Sequence, residues 1–171
     1  MRLELAERLR CPASHAPTPL IIVADVVRER DLVRGTAGCP ICHAEVRIAD
    51  GDVWFEDPAA RATPQVLEGF KRSEAHDAAG LERVMALLGL SEAGGTILLM
   101  GDYARFATAL AANLDFSVVT MGDSALGPAP GTGVARGIAV SSVHGSPRSV
   151  PFSDGSFRAA ALDDAHAAEV V

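Results

Sequence analysis

The sequence predicts an α/β fold built from two unlike parts: a small β zinc-ribbon-like unit, followed by a doubly wound (Rossmann-like) parallel sheet. Three observations lead to this prediction. All three cysteines fall in the first quarter of the chain, and two of them form a Cys-x-x-Cys turn. Short runs rich in β-branched residues surround these cysteines. Beyond about residue 65, helical spacing alternates with short apolar runs, which is typical of a parallel sheet covered by helices.

Composition and charge restrict the classes of function. The 171 residues are 49% hydrophobic and 22% charged, which predicts a globular protein of one ordinary domain or two small ones. Acidic residues outnumber basic ones by 22 to 15, and Lys71 is the single lysine, so nucleic acid is disfavoured as the main partner. We also find neither a long apolar run nor an apolar signal core after Met1, and we therefore expect a cytoplasmic protein without a transmembrane segment.

The N-terminal unit is predicted to span residues 1–57 and to consist mainly of strands. Residues 2–10 fit either a short strand or one helical turn. Residues 20–27 are rich in β-branched side chains and predict a strand, and a return strand begins at residues 32–34. An Asp-Gly turn at residues 50–51 separates two alternating runs and predicts a tight hairpin. So small a unit has few apolar residues for a core, and a bound metal would stabilise it.

The cysteine spacing predicts where a metal would bind. Cys39 and Cys42 are two residues apart, so that one turn can present both sulfurs, and Cys11 would supply a third ligand. An odd number of cysteines with this spacing fits metal binding in a reducing compartment better than a disulfide framework. The alternative is a ribbon that has lost its metal and buries its cysteines as small hydrophobic residues.

The fourth ligand is less obvious from the sequence. A second Cys-x-x-Cys turn would place a cysteine at position 14, where the chain has Ser14, a poor zinc ligand. His15 is the next residue and could bind through a slightly wider turn, and His43 is a second candidate. The prediction is a structural zinc site made of Cys11, His15, Cys39 and Cys42. A catalytic zinc is disfavoured because no general base stands beside an open coordination position.

The second part alternates helical and extended patterns after a linker at residues 58–64. The segment from about residue 64 to 90 has helical spacing, with one apolar face formed by Leu81, Val84, Met85 and Leu88. A second helical pattern covers residues 103–113. Three short apolar runs predict buried parallel strands: residues 96–100, 116–121 and 138–143. Alanine-rich residues 156–171 would form a helix by propensity alone.

Two segments of the second part carry a family resemblance. Residues 96–106, Thr-Ile-Leu-Leu-Met-Gly-Asp-Tyr-Ala-Arg-Phe, resemble the first strand and turn of class I S-adenosylmethionine-dependent methyltransferases. Residues 149–157, Ser-Val-Pro-Phe-Ser-Asp-Gly-Ser-Phe, resemble the run before that family's fourth strand. The N-terminal ribbon is similar to small zinc-ribbon domains that precede such methyltransferases. The resemblance implies a partial methyltransferase-like domain over residues 65–171, with a strand rather than a helix at residues 157–162.

The resemblance also implies a cofactor site, from which this chain departs. Gly101, Asp102 and Asp123 are the residues that would bind S-adenosylmethionine, although Asp123 stands one position late. The family's first turn holds several glycines, so that its backbone can approach the cofactor closely. Here Tyr103 and Arg105 stand where further glycines are expected.

Further departures lie near the third and fourth strands. The family often has an acidic residue near the adenine, where this chain has His144, and commonly an acidic residue where this chain has Arg158. His144 lacks an obvious partner and is expected on the surface, whereas Trp54 and Phe55 are expected to pack the ribbon against the second part. Because the sequence ends at Val171, the later strands of the family's sheet are expected to be missing.

Three hypotheses follow from these departures. We expect a non-catalytic methyltransferase-like accessory or scaffold subunit that acts through protein–protein contacts, with an exposed sheet edge that favours a protein partner or a homo-oligomer. The first alternative is an active S-adenosylmethionine-dependent methyltransferase of unknown acceptor, which would need that cofactor. The second is a metal-binding interaction module whose second domain serves as a spacer.

Overall fold

The computed structural model describes residues 1–55, 78–92, 94–114, 116–122, 140–145 and 150–162. The N-terminal elements are α1 (Leu3–Ala6), β1 (Ile21–Arg28), β2 (Asp31–Gly38), β3 (Glu45–Ala49) and β4 (Asp52–Trp54). The remaining elements are α2 (Ala78–Leu87), β5 (Thr96–Met100), a 3₁₀ helix (Gly101–Phe106), α3 (Ala107–Leu114), β6 (Ser117–Gly122), β7 (Val140–His144) and β8 (Ala159–Ala161).

The strands form one mixed sheet of eight strands in the order β1-β2-β3-β4-β7-β6-β5-β8. The first four strands pair antiparallel, and the pairs β4–β7, β7–β6, β6–β5 and β5–β8 are parallel. The predicted α/β class is therefore confirmed in its coarse form. The four N-terminal strands continue into the parallel strands through the β4–β7 pair, while the zinc ribbon and the division at residue 57 stay predictions.

The N-terminal strands follow the sequence pattern closely. The predicted hairpin forms between β3 and β4, and both turn residues adopt left-handed backbone, with φ of 54° at Asp50 and 83° at Gly51. Two successive positive φ angles match the right-handed twist of the flanking strands, which explains the Asp-Gly pair. Between the two possibilities for residues 2–10, the chain takes the helical turn, as α1.

Two glycines of β2 differ in how closely the neighbouring strand approaches. A Cβ added at Gly35 would lie 2.5 Å from the Val23 carbonyl oxygen and 3.2 Å from the Ala24 Cα, whereas one added at Gly38 would meet nothing within 4 Å. We expect Gly35→Ala to lower the free energy of unfolding by about 2 kcal/mol, because β1 must move away. Gly38→Ala is the control and should leave it nearly unchanged. Urea unfolding of both variants measures the difference, and equal midpoints would contradict the prediction.

The helices and parallel strands lie where the periodicity predicts them. Helix α2 buries Val84, while Leu81, Met85 and Leu88 of the same face pack against the core. The part of this predicted helix before residue 78 lies outside the described residues. No helix in the described ranges is both long enough and apolar enough to cross a membrane.

The strand β8 forms at residues 159–161, where alanine propensity alone would predict a helix. Ala159, Ala160 and Ala161 pair with β5 in parallel register. Ala161 is buried beside the helices, and strand pairing therefore outweighs the intrinsic helix preference of alanine. The strand expected from the family resemblance is present at these three residues, and residues 163–171 lie outside the described part of the chain.

The parallel strands bury both of their faces. Ile97 and Leu99 belong to one core cluster with Leu110 of α3, while Leu98 and Met100 belong to a second cluster. Because successive residues of a strand point to opposite faces, these clusters lie on opposite sides of the sheet. The second cluster also contains N-terminal side chains: Leu5, Leu9, Leu20, Leu32, Ile48 and Val53. The N-terminal unit thus shares its core with a face of the parallel sheet.

The segment that leads into Cys11 also contacts the Pro-Phe-Ser-Asp run directly. The backbone N–H of Arg10 donates to the Pro151 carbonyl at 2.9 Å, and the N–H of Ser153 donates to the Arg8 carbonyl at 2.9 Å. Phe152 lies between these bonds and is buried in the same cluster as Leu9. The run that resembles the methyltransferase family is therefore held against the N-terminal unit.

Candidate metal centre

Two turns present the four predicted metal ligands. Cys11 follows α1, and its backbone N–H donates to the Thr18 carbonyl at 2.9 Å. Cys39 directly follows β2, and its N–H donates to the Ala44 carbonyl at 2.9 Å. The Cys39 carbonyl in turn accepts the N–H of His43 at 3.0 Å, and His43 has a left-handed φ of 58°. These hydrogen bonds close both turns. The sulfur of Cys11 in the first turn then faces the sulfurs of Cys39 and Cys42 in the second.

The ligand atoms lie at the spacing that a tetrahedral ion requires. The Sγ atoms of Cys11 and Cys42 are 3.6 Å apart, and the Sγ of Cys39 lies 3.4 Å from Nε2 of His15. All four ligand atoms lie within 4.8 Å of one another. Zn–S bonds of about 2.3 Å in a tetrahedron place neighbouring sulfurs about 3.8 Å apart. The group can therefore hold a metal ion such as zinc without a large rearrangement.

Backbone N–H groups stabilise two of the sulfurs as thiolates. Burial opposes ionisation of Cys39, but the N–H groups of Cys42 and Ile41 outweigh it and hold its pKa below the ordinary value. The N–H of Ala44 is the largest cause that lowers the pKa of Cys42. Burial raises the pKa of Cys11 to about 11. A metal ion would therefore displace a proton from Cys11, and it would ionise Cys39 and Cys42 more easily than Cys11.

The histidine ligand is oriented by its own neighbours. Nδ1 of His15 lies 2.8 Å from the Ala16 carbonyl oxygen, and a carbonyl only accepts, so Nδ1 carries the proton. Nε2 then has a free lone pair, and it is the atom that faces the Cys39 sulfur. The hydroxyl of Thr18 donates to the same carbonyl at 2.7 Å and helps to fix it. Histidines that bind metal typically donate their other ring N–H to a carbonyl or carboxylate in this way. Of the two candidates, the geometry selects His15 and leaves His43 outside the group.

The donor set favours zinc in a structural role. Three thiolates and one imidazole are soft or borderline ligands, which zinc prefers, and together they fill a tetrahedron. Cys11 and Cys39 are buried, His15 is half-buried and Cys42 is exposed. No described carboxylate joins the group. Such a site can link the turn before β1 to the turn between β2 and β3, and its four protein ligands leave no position for a substrate.

The residues that the resemblance assigns to a cofactor are only partly described. Gly101 directly follows β5, is buried, and has a left-handed φ of 58°. Asp102 is exposed beside it, and Asp123 lies outside the described residues. Tyr103 packs against the core cluster on the helix side of the sheet. Arg105 is exposed, with its guanidinium carbon 4.7 Å from the centroid of the neighbouring aromatic ring.

The carboxyl end of β7 contains a buried polar pair that sequence reasoning missed. The expectation of a surface histidine is wrong, because His144 is only 4% exposed. Its ring stacks on Trp54 with 3.7 Å between ring centroids, and its Nε2 lies 3.5 Å from Oδ2 of Asp52. The other carboxylate oxygen of Asp52 accepts the backbone N–H of Ser142 at 2.9 Å. One sequence signal could have predicted this burial. His144 directly follows the run at residues 138–143, and parallel strands are covered on both faces.

Trp54 and Phe55 lie at the junction between the ribbon and the parallel strands, as expected from the sequence. Trp54 pairs with His144 in register, and the backbone N–H of Phe55 donates to the His144 carbonyl at 3.0 Å. A Cβ added at Gly145 would lie 3.2 Å from the Phe55 Cβ. Trp54 and Phe55 of the N-terminal unit therefore lie beside the last described residues of β7.

Arg158 has a structural role at the start of β5. Its guanidinium donates to the carbonyls of Glu92 and Gly94, each at 3.2 Å, and it lies 3.9 Å from the Glu92 carboxylate. It also lies 6.0 Å from the centroid of the Phe116 ring. An acidic side chain at this position could not donate to these carbonyls.

Comparison of the chain with protein-family models, curated proteins and solved structures gave no match. Its function is therefore inferred from the geometry of its own residues.

Proposed function

We propose that this chain is a zinc-stabilised, methyltransferase-like accessory protein that acts through contacts with other proteins and does not transfer methyl groups itself. The observation that carries this proposal is the covered end of β7. There Trp54 stacks on His144, and the Asp52 carboxylate lies 3.5 Å from Nε2 of the same ring. The family resemblance implies an acidic residue and an adenine ring beside this strand end. The contacts of Trp54 and Asp52 with His144 support a role without adenine at this place.

The strand order supports a Rossmann-like interpretation of the second part. If β5 is counted as the first strand, the parallel strands run third, second, first, fourth across the sheet. Dinucleotide-binding sheets begin with this order, and ligands bind at the carboxyl ends of their strands. Gly101 adopts left-handed backbone directly after that first strand, as a tight strand-to-helix turn requires. These features favour descent from a cofactor-binding fold, although they do not by themselves provide a cofactor site.

The side chains of the first turn do not fit S-adenosylmethionine well. Tyr103 replaces an expected glycine, and its ring is part of the packing on the helix side. Glycines at this turn let the backbone approach a cofactor closely, and a residue with a side chain here supports a turn that makes no such approach. Together with the covered end of β7, this removes two of the contacts that the family resemblance implies. We therefore derive no methyl-transfer step for this chain.

The role of the zinc follows from the small core of the ribbon. Strand β1 contributes only partly buried side chains, Ile22 and Val26, toward the interior. A metal bound by Cys11 and Cys42 would link the turn before β1 to the turn between β2 and β3. Apolar packing alone holds these two turns together only weakly. The metal would thereby hold β1 in place at the edge of the sheet.

The exposed edge supports a protein partner or a second copy of the chain. Four of the five large hydrophobic residues exposed among the described residues lie in the ribbon: Ile21, Val23, Val27 and Ile41. Three of these are in β1, which is the edge strand of the sheet and, among the described strands, pairs with β2 alone. An edge strand offers unpaired backbone groups, and exposed β-branched side chains favour association with another strand.

An active methyltransferase is the second candidate, and the strand order together with Gly101 favours it. Titration with S-adenosylmethionine by calorimetry and by thermal shift distinguishes the two. We expect no saturable heat and no change in the melting midpoint. A true cofactor at 100 times its Kd would stabilise the fold by about 2.7 kcal/mol, which a thermal shift detects readily.

A matched variant tests whether the turn is responsible. Tyr103→Gly restores the expected glycine, and if Tyr103 were the sole obstacle, this variant would bind the cofactor. Because the end of β7 is also covered, we expect it to remain without affinity. Micromolar binding by the unchanged protein would refute the accessory role and make the chain an enzyme candidate.

A further inference from the structure

Two of the candidate zinc ligands are placed to react with each other. The sulfurs of Cys11 and Cys42 are 3.6 Å apart, although these residues are separated by 31 positions in the sequence. A disulfide needs the sulfurs at about 2.05 Å, so a small movement of either turn would join them. The sulfur of Cys39 lies beside the His15 ring at 3.4 Å and within 4.8 Å of both other sulfurs, so the choice of partner must be tested directly.

Exposure gives the two sulfurs different roles. Cys42 is exposed, so a small oxidant can reach it from solvent, whereas Cys11 is only 6% exposed. A cysteine oxidised at the surface with a second thiol directly behind it is resolved as a disulfide before further oxidation takes place. The arrangement matches that sequence of events, with Cys42 reacting first and Cys11 second.

We propose that Cys42 and Cys11 form a hydroperoxide-reactive pair whose disulfide replaces the metal as the link between the two turns. The Cys42 thiolate attacks an oxygen of the hydroperoxide, the O–O bond breaks, and an alcohol or water leaves after taking a proton. The Cys42 sulfenic acid is then attacked by the Cys11 sulfur, the S–O bond breaks, and water leaves with the Cys11 proton. Two thiols are oxidised and one hydroperoxide is reduced, so no further reactant is needed.

The fate of the metal rests on the proposed zinc site. A disulfide removes two of the four ligands, and His15 and Cys39 alone cannot hold the ion tightly, so the metal is released. The new bond joins the same two turns that the metal joined, and the N-terminal unit therefore stays folded after oxidation. A bond between Cys39 and Cys42 would lie within one turn and would leave Cys11 unattached.

Peptide mapping of the full chain distinguishes these pairings. The zinc content of the purified protein is measured first with a colorimetric chelator, and hydrogen peroxide is then added in equimolar amount. We expect the intact mass to fall by two hydrogens, the metal to appear in solution, and dithiothreitol to reverse both changes. Trypsin should then yield peptide 11–28 bound to peptide 35–47, because arginines precede and end both segments.

Two serine variants identify the partner. Cys39→Ser should still form the cross-linked peptides, while Cys42→Ser should form them at least about tenfold more slowly. A disulfide within peptide 35–47, or an unchanged rate in Cys42→Ser, would overturn the proposal.

The two proposals fail in different ways. A protein purified without zinc would refute the metal site, and the cross-link could still be scored on that metal-free chain. A zinc-loaded protein that forms no cross-link would refute the reactive pair and leave the metal site intact.

Discussion

Cys39→Ser is expected to abolish tight zinc binding and to lower the free energy of unfolding by about 4 kcal/mol. The sulfur of Cys39 is buried and lies 3.4 Å from Nε2 of His15, so serine would leave a hard, neutral hydroxyl where the ion needs a thiolate. Structural zinc contributes about 10–16 kcal/mol to the folding of isolated zinc fingers. We expect a smaller effect here because the N-terminal unit also packs against the parallel sheet.

Metal analysis by mass spectrometry and urea unfolding measure the two parts of this prediction. His43→Ala is the matched control, since His43 adjoins Cys42 but its ring lies outside the ligand group. It should keep one equivalent of zinc. Removing the metal from the unchanged protein with a chelator should lower its unfolding midpoint by about as much as the cysteine substitution does. The structural zinc would be refuted if the unchanged protein is purified without metal. It would also be refuted if the Cys39→Ser variant unfolds at the midpoint of the unchanged protein.

Local sequence signals predicted much of the candidate site. The Cys-x-x-Cys spacing and the Asp-Gly hairpin depend on a few neighbouring residues, and such signals act within one turn of the chain. The sequence also ranks His15 ahead of His43 as the fourth ligand, but spacing cannot predict which ring nitrogen faces the sulfurs. The Ala16 carbonyl fixes the proton on Nδ1 of His15, and this contact forms only in the folded turn.

Long-range pairing explains what the sequence could not predict. The sheet is continuous because β4 pairs with β7, whose residues lie about ninety positions later in the chain. Nothing local to Trp54 or His144 indicates this partner, and His144 was therefore expected on the surface. Alanine-rich β8 is a similar case, since its pairing with β5 overrides the helix propensity of its residues. The wrong surface expectation for His144 and the failure of propensity at β8 both come from contacts that only the assembled sheet supplies, and the strand at residues 157–162 is predicted through the family resemblance alone.

The continuous sheet also means that the two parts stabilise each other. Leu98 and Met100 of the parallel strands share a core with Leu9 and Leu32 of the N-terminal unit. If the parallel strands were folded alone, these side chains would face water, and each would lose about 1.5–3 kcal/mol of burial free energy. Side chains of the N-terminal unit thus cover one face of the parallel strands, as helices do in doubly wound folds. A change at the β4–β7 junction should therefore destabilise the whole protein.

Asp52→Ala is expected to lower the free energy of unfolding by about 3 kcal/mol. The carboxylate is buried and accepts the backbone N–H of Ser142 at 2.9 Å, and its second oxygen lies 3.5 Å from Nε2 of His144. Alanine would leave the Ser142 N–H without its acceptor and the His144 ring without its polar neighbour, both in a buried place. An unsatisfied buried donor costs about 1–3 kcal/mol, and two groups are affected here.

Two controls isolate the cause. Asp52→Asn retains a carbonyl oxygen that can accept the Ser142 N–H, so it should be destabilised by only about 1 kcal/mol. Asp25→Ala removes an exposed carboxylate, 3.8 Å from Arg34, and should leave the urea midpoint unchanged within error. Urea unfolding is followed by the fluorescence of Trp54, the single tryptophan, which stacks on His144 and therefore reports on this junction directly. If Asp52→Ala unfolds at the native midpoint, β4 and β7 do not hold the two parts together through this carboxylate, and the covered strand end that supports a non-catalytic role loses its structural basis.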